Sequence, residues 1–233
     1  MGPCCASGSR RSALASADVD SLRDVLKRAS TRPTDEASWD VDAAPDAPWP
    51  LVEEWLRAAV DAEVLAAQTA TLATATVDGT PSARTVLVND VTEDGFWFAT
   101  SAEGPAGRDL AENPVAALVL YLREQSRQIR VTGETVRGEA ERGADAFRAR
   151  GERSRAVSLA GDQSAPLPAD ADVRIRAAEQ LLDAEPDAAD PRWTAYLVTP
   201  TEIEFWQSRR DSGEQRLRYR RGPGGWTHER LWP

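Results

Sequence analysis

The residue types able to do chemistry are few in this chain, and their scarcity decides more than their presence. His228 is the only histidine, so a histidine-centred triad must use that residue and a site built on several histidines is impossible. Cys4 and Cys5 are adjacent, which gives neither a disulfide framework nor two well-spaced metal ligands, and no metal site is expected. Lys27 is the one lysine, and its place in the N-terminal segment argues against a Schiff-base enzyme built on a core lysine. Nearly all the cations are therefore arginines, several of them gathered between Arg209 and Arg221. What remains is chemistry carried by a bound cofactor, carboxylate chemistry, or binding without catalysis.

The formal charge of −10 repels a phosphate backbone at long range. The arginine-rich stretch is read as a solvated hairpin, and no nucleic-acid partner is expected. No apolar run approaches the length of a bilayer span. The start, MGPCCASGSRRSALASADVD, lacks a basic segment followed by an apolar one. The expectation is a cytoplasmic protein with no membrane attachment and a small-molecule partner.

The elements that must position any site follow from the hydrophobic period. Residues 1–47 are rich in Ala, Ser, Asp and Pro and read as a partly disordered N-terminal arm, with a short helical pattern around Val19, Leu22, Val25 and Leu26. Pro50 then stands at a first helical position before Leu51, Val52, Trp55, Leu56 and Ala59, one apolar stripe on a core-capping helix. From Thr71 the period becomes two. TLATATV, a turn at Asp78-Gly79, SARTVLV, FWFAT, VAALVLYL and RQIRVTGETVRGEA read as strands. Gly104-Pro105 opens a helix that Asn113-Pro114 ends. Ala144 to Arg150, Arg155 to Gly161 and Val173 to Ala184 read as further helices. WTAYLVTP, TEIEFWQ, RLRYRR and GWTHERLW return to strand, with a hairpin turn at Gly222 to Gly225. The fold class is mainly β with helices (α+β), and a barrel is the economical closure for so many short strands.

Several of these strings coincide, in order, with one family. ATVDGTPSARTVLV, GFWFAT, LAENPVAALVLY, RQIRVTG, Gln163-Ser164, IEFWQ and RLRYRR…GWTHERLWP resemble the pyridoxamine 5′-phosphate oxidase family, from about Trp55 to Pro233. LREQSRQI and RLRYRR are closer to its phenazine-biosynthesis oxidase branch. The resemblance implies an FMN-binding split β-barrel over 48–233, with C-terminal dimerisation hairpins in 190–233. It further implies a homodimer with FMN in clefts at the subunit interface, and hydride transfer from substrate to flavin followed by reoxidation with oxygen.

Carried over residue by residue, the resemblance assigns cofactor contacts to Arg84, Val86, Leu87, Thr100, Gln128, Gln163, Ser164, Trp206 and Arg216. A guanidinium such as that of Arg84 suits a phosphate because its fork donates two parallel bonds. Arg150 and Ser154 match the family's substrate-phosphate contacts.

The departures are as specific. Gly104-Pro105-Ala106 stands where the family carries Ser-Arg-Lys, and Asn89 replaces a lysine. Each lost charged hydrogen bond to a dianion costs about 1.5 to 3 kcal/mol, roughly tenfold to a hundredfold in affinity. A helix starting at Pro105, with Arg108 nearby, offers partial compensation. FMN is therefore expected to be weakly held or lost. Ser212-Gly213-Glu214 replaces the family's Arg-Leu-His, putting Glu214 in the substrate-binding set, where it repels a phosphate. Three readings follow. The first is an FMN-dependent oxidase or dehydrogenase of specialised metabolism acting on a reduced cyclic, possibly anionic, non-vitamin substrate. The second is a family member that has lost FMN and works as a small-molecule binding protein or a cofactor-free enzyme with Glu214 as acid or base. The third is a genuine pyridoxamine 5′-phosphate oxidase.

Overall fold

The computed structural model describes residues 39–209 and 213–233, together with Met1. The helical pattern at Val19 to Leu26, Cys4, Cys5, Lys27 and Ser212 all lie outside the described residues.

Eight antiparallel strands carry the fold: β1 (Thr69–Ala75), β2 (Pro81–Thr92), β3 (Gly95–Ser101), β4 (Val115–Leu122), β5 (Arg127–Arg137), β6 (Trp193–Arg209), β7 (Gly213–Gly222) and β8 (Gly225–Leu231). They run in the order β3-β2-β1-β4-β5-β6, and β3 pairs again with β6, so these six strands close on themselves. Closure removes the free sheet edges. The far end of β6 continues beyond the barrel as a ribbon with β7 and β8. The alternation read from the sequence is the inside–outside alternation of this barrel. Leu72, Phe96, Leu118, Leu120, Ile129, Val131, Val198, Ile203 and Phe205 are fully buried, and each such side chain contributes about 1.5–3 kcal/mol to holding the barrel together.

Two turns form where the chain permits them. Gly79 at φ +86° closes the β1–β2 hairpin, a conformation that costs glycine nothing and other residues steric strain. Gly225 at φ +106° does the same between β7 and β8.

The helices expected from Ala144 and Arg155 begin earlier, at Ala140 and Glu152, and end at Arg148 and Ala160, and one strand differs in kind. WTAYLVTP and TEIEFWQ are a single strand, β6, running straight through Pro200. The register against β5 shifts there, with Gly133 opposite Pro200 and Thr132 opposite Glu202. The extra residue is Thr201, whose hydroxyl donates to the Thr132 carbonyl at 3.1 Å. A bulge absorbs the missing proline N–H, so the strand bends without ending.

Among the described residues five α-helices pack outside the barrel: α1 (Trp49–Asp61), α2 (Pro105–Glu112), α3 (Ala140–Arg148), α4 (Glu152–Ala160) and α5 (Ala171–Ala184). α1 buries Leu51, Val52, Trp55 and Ala59. Trp55 meets Phe205 edge-on at 5.2 Å and Trp39 at 5.0 Å. Trp39 and Val41, just before α1, belong to the main core. α4 and α5 form a helical hairpin around a small core of Ala156, Ala178 and Leu182, and the loop between them carries Gln163 and Ser164. Among the described residues no helix is long and apolar enough to cross a membrane.

Candidate functional site

The first group of candidate residues gathers around α2. Gly104 caps this helix with no side-chain hydrogen bond and Pro105 opens it, as expected where the first N–H groups have no partner in the helix. Ala106, Gly107, Asp109 and Leu110 face inward. Asp109 is thus a carboxylate on the apolar side of a helix, and it needs partners there. It has them. Its Oδ2 accepts from the Thr74 hydroxyl at 2.6 Å, and lies 3.6 Å from Arg84 Nη2.

Arg84, on β2, points to the same side of the strand as Val86 and Ser82, while Leu87 points the opposite way into solvent. Its Nη1 donates to the Thr74 hydroxyl at 2.6 Å, and its Nη2 to the Ser82 hydroxyl at 2.5 Å. The Leu72 and Ser82 carbonyls lie at 3.4 and 3.3 Å from Nη1. Burial pulls the Arg84 pKa down, and the Asp109 charge pushes it back up. Asn89 lies in the register shift between β2 and β3 and is exposed. Arg108 is also exposed, and its guanidinium turns back to the Glu103 carbonyl.

At the other end of α2, buried Thr100 donates to Gln163 Oε1 at 3.3 Å. The Gln163 carboxamide lies against the helix cap so closely that a Cβ on Gly104 would sit 2.3 Å from Oε1. Ser164 follows in left-handed conformation, φ 66°. Gln163 and Ser164 line a cleft of about 710 Å³ together with Ser101, Arg150, Arg192 and Trp193.

Arg150 is the distinctive cation of this cleft. It stacks on the Trp193 ring, 4.0 Å from the centroid, and donates to the Ser154 and Ser158 hydroxyls at 2.7 Å each. Burial lowers its pKa, offset in part by the Asp190 charge. Asp190 itself is committed to Arg192 at 2.9 Å. Arg150 donates to no carboxylate among the described residues, so its charge is balanced only at a distance.

The second group lies on the extension of the sheet. Gln128 on β5 pairs with Trp206 on β6, which pairs with Arg216 on β7, a single cross-strand row. Trp206 Nε1 donates to Glu214 Oε2 at 3.4 Å. Arg216 Nη1 donates to buried Glu204 at 2.8 Å, and Arg130 holds the same carboxylate at 2.7 Å. Arg216 Nε is buried with no hydrogen-bond partner. Arg218 and Arg220, also in the arginine-rich stretch, meet Glu229 and Glu202 at 2.6 and 3.2 Å.

The sequence reading missed Thr74, Asp109, Ser158, Trp193 and Glu204. Asp109 had a signal, since it stands three residues after Ala106 and one before Leu110, inside an apolar helix stripe. Thr74 and Glu204 had none without the strand register.

FMN has a ring end and a phosphate end, and the residues present answer to them differently. The row of Gln128, Trp206 and Arg216, with an unpartnered Arg216 N–H, suits a polar planar ring. The phosphate end does not fit: Arg84 is already paired with Asp109, positions 104–106 carry no cation, and the Gln163 oxygen lies against Gly104.

The family model described as pyridoxamine 5′-phosphate oxidase matches residues 56–207. The pyridoxine 5′-phosphate oxidase C-terminal dimerisation region matches residues 193–233. The pyridoxine/pyridoxamine 5′-phosphate oxidase of Burkholderia multivorans is 39% identical, covering 92% of this chain and 100% of its own. That of Salinibacter ruber is 39% identical over 82% and 92%. Among solved structures, PhzG from Burkholderia lata in complex with tetrahydrophenazine-1-carboxylic acid superposes with a TM-score of 0.77 at 32% identity, over 85% of this chain and 99% of that one. A pyridoxamine 5′-phosphate oxidase-related, FMN-binding protein from Nostoc punctiforme shares the fold at TM-score 0.66 and 17% identity, over 82% and 100%. The chain belongs to the pyridoxamine 5′-phosphate oxidase family.

Proposed function

We propose that this protein is a homodimeric, cytoplasmic flavin-dependent oxidoreductase of specialised metabolism, acting on a reduced cyclic substrate that carries a carboxylate rather than a phosphate. The observation that carries this reading is Arg150, a guanidinium stacked on Trp193 with, among the described residues, only the Ser154 and Ser158 hydroxyls as side-chain hydrogen-bond partners. One guanidinium fork and two hydroxyls match a monoanionic carboxylate in donor geometry and charge. A dianionic phosphate asks for more. The family's Arg-Leu-His is replaced by Ser212-Gly213-Glu214, which exchanges a basic pair for a neutral residue and an acid.

The chain's own residues account for binding and orientation. Arg150 anchors the anion, and Trp193 holds the guanidinium plane in place by stacking. Gln128, Trp206 and Arg216 present an amide, an indole face and a guanidinium in one row. The match to the dimerisation region supports a homodimer, in which this row would complete a cleft of the second copy. Gln128, Trp206 and Arg216 would hold a flavin, which would supply the hydride-accepting chemistry that no side chain here provides.

The PhzG relative, solved with tetrahydrophenazine-1-carboxylic acid, supplies the test compound. Oxygen uptake by the full chain with this reduced carboxylated ring, compared with pyridoxamine 5′-phosphate, checks the proposal. Faster uptake with the carboxylate is expected, and turnover of the vitamin phosphate alone overturns it. A second reading, cofactor-free action with Glu214 as acid or base, is favoured by the filled phosphate end. A freshly purified protein without absorption bands near roughly 375 and 450 nm, active without oxygen, selects that reading instead.

A further inference from the structure

We infer that Asp109 is the resident counter-ion of Arg84, standing where a ligand's phosphate would stand, and that the site accepts a flavin lacking the phosphate in preference to FMN. This rests on the flavin-dependent reading above and specifies which flavin.

Arg84 already spends donors of both terminal nitrogens inside the protein. Its two terminal nitrogens are committed to Thr74 and Ser82, and its charge is met by a carboxylate 3.6 Å away. An arriving phosphate competes with these hydroxyls and sits beside Asp109, a like-charge contact that opposes its ionised form. The Asp109 carboxylate cannot swing away freely, because it is buried on the inward face of α2 and held by Thr74 at 2.6 Å.

The helix cap tells the same story independently. Backbone N–H groups at a helix start favour an anion, but here the uncharged Gln163 oxygen lies against Gly104. Gln163 is itself fixed by Thr100 at 3.3 Å. Arg108, the one cation in the first turn, reaches the Glu103 carbonyl instead. Beside Arg84 stands the Asp109 carboxylate, and at the helix start the Gln163 amide oxygen, so each of the two places carries an acceptor. Acceptors suit the hydroxyl donors of an uncharged polyol chain and repel phosphate oxygens. Riboflavin ends in such a hydroxyl, and FMN does not.

The test is a pair of titrations of the ligand-free full chain, with riboflavin and with FMN, followed by quenching of flavin fluorescence. Riboflavin is expected to bind at least about tenfold more tightly than FMN, with inorganic phosphate failing to compete. Asp109→Asn is expected to raise FMN affinity by about tenfold and to leave riboflavin within about threefold. A wild-type preference for FMN overturns the inference, as does an Asp109→Asn protein with an unchanged ratio. The wild-type ratio stands without the variant should the latter not fold. Failure of both flavins to bind removes the flavin-dependent reading itself, whereas tight FMN binding removes only this inference.

Discussion

Arg84 and Asp109 face one another at 3.6 Å with the Thr74 hydroxyl between them, accepting from the guanidinium at 2.6 Å and donating to the carboxylate at 2.6 Å. β1, β2 and α2 each supply one member, so the cluster pins the helix to the barrel wall. Replacing Thr74 by valine keeps the shape and removes the hydroxyl, leaving the buried carboxylate short of a donor. A loss of about 1–3 kcal/mol is expected in urea unfolding, most of it restored by Thr74→Ser.

Glu204 occupies the corresponding position in the second group. It is 2% exposed and holds Arg130 and Arg216 at 2.7 and 2.8 Å. Glu204→Gln leaves two guanidiniums facing a neutral amide. Removing one member of a buried ion pair costs more than the pair itself contributes, because the remaining charges stay desolvated. Arg130 is partly solvated, so the expected destabilisation is about 2–4 kcal/mol by denaturant titration, less than in a fully buried triad. Glu204→Asp is expected to recover only part, since the shorter side chain reaches one arginine and not both.

Much of this architecture was legible in the sequence because period and turn chemistry report local geometry. Asp78-Gly79 gave the first hairpin and Gly104-Pro105 the start of α2. Trp55 lies within the apolar stripe that α1 buries. The unbroken β6 was not legible. Pro200 reads as a strand end, and only the partner Gly133 shows that a bulge accommodates it. The site divides in the same way. The resemblance names Gln128, Trp206 and Arg216 as separate positions, but their single row depends on the pairing of three strands. The pairing of Asp109 with Arg84 joins residues 25 positions apart on elements of different type, and no local pattern encodes it.

Arg150 provides the test of substrate anchoring. Arg150→Lys keeps the charge but loses the planar fork and its stacking on Trp193, so it cannot hold Ser154 and Ser158 in the same arrangement. Arg150→Ala removes the charged hydrogen bonds altogether, about 1.5–3 kcal/mol of binding free energy. With the reduced carboxylated substrate, the alanine variant is expected to raise KM about tenfold to a hundredfold with a smaller change in kcat. Lysine should fall between it and the native protein. A kcat loss at unchanged KM places Arg150 in the chemical step instead.

Alkaline stability isolates one buried tyrosine. Tyr219 is fully buried and donates its hydroxyl to the Pro45 carbonyl at 2.9 Å, tying the segment before α1 to β7. Burial, with the Asp46 charge adding to it, pushes its pKa from 10.0 up to about 12. The unfolded chain therefore gives up this proton at lower pH than the folded one. The stabilisation is fully present below pH about 10 and is lost progressively as pH rises from there through about 12, about 3 kcal/mol in all. Lys27 is the only lysine in the chain, so little lysine titration overlaps this window. Tyr196 is shifted in the same direction by burial and leaves a residual slope. Tyr219→Phe is expected to cost about 1 kcal/mol at neutral pH through the lost hydrogen bond. It should also flatten the fall in urea stability between about pH 10 and 12. An unchanged slope in that variant would assign the alkaline transition to Tyr196 or to another group.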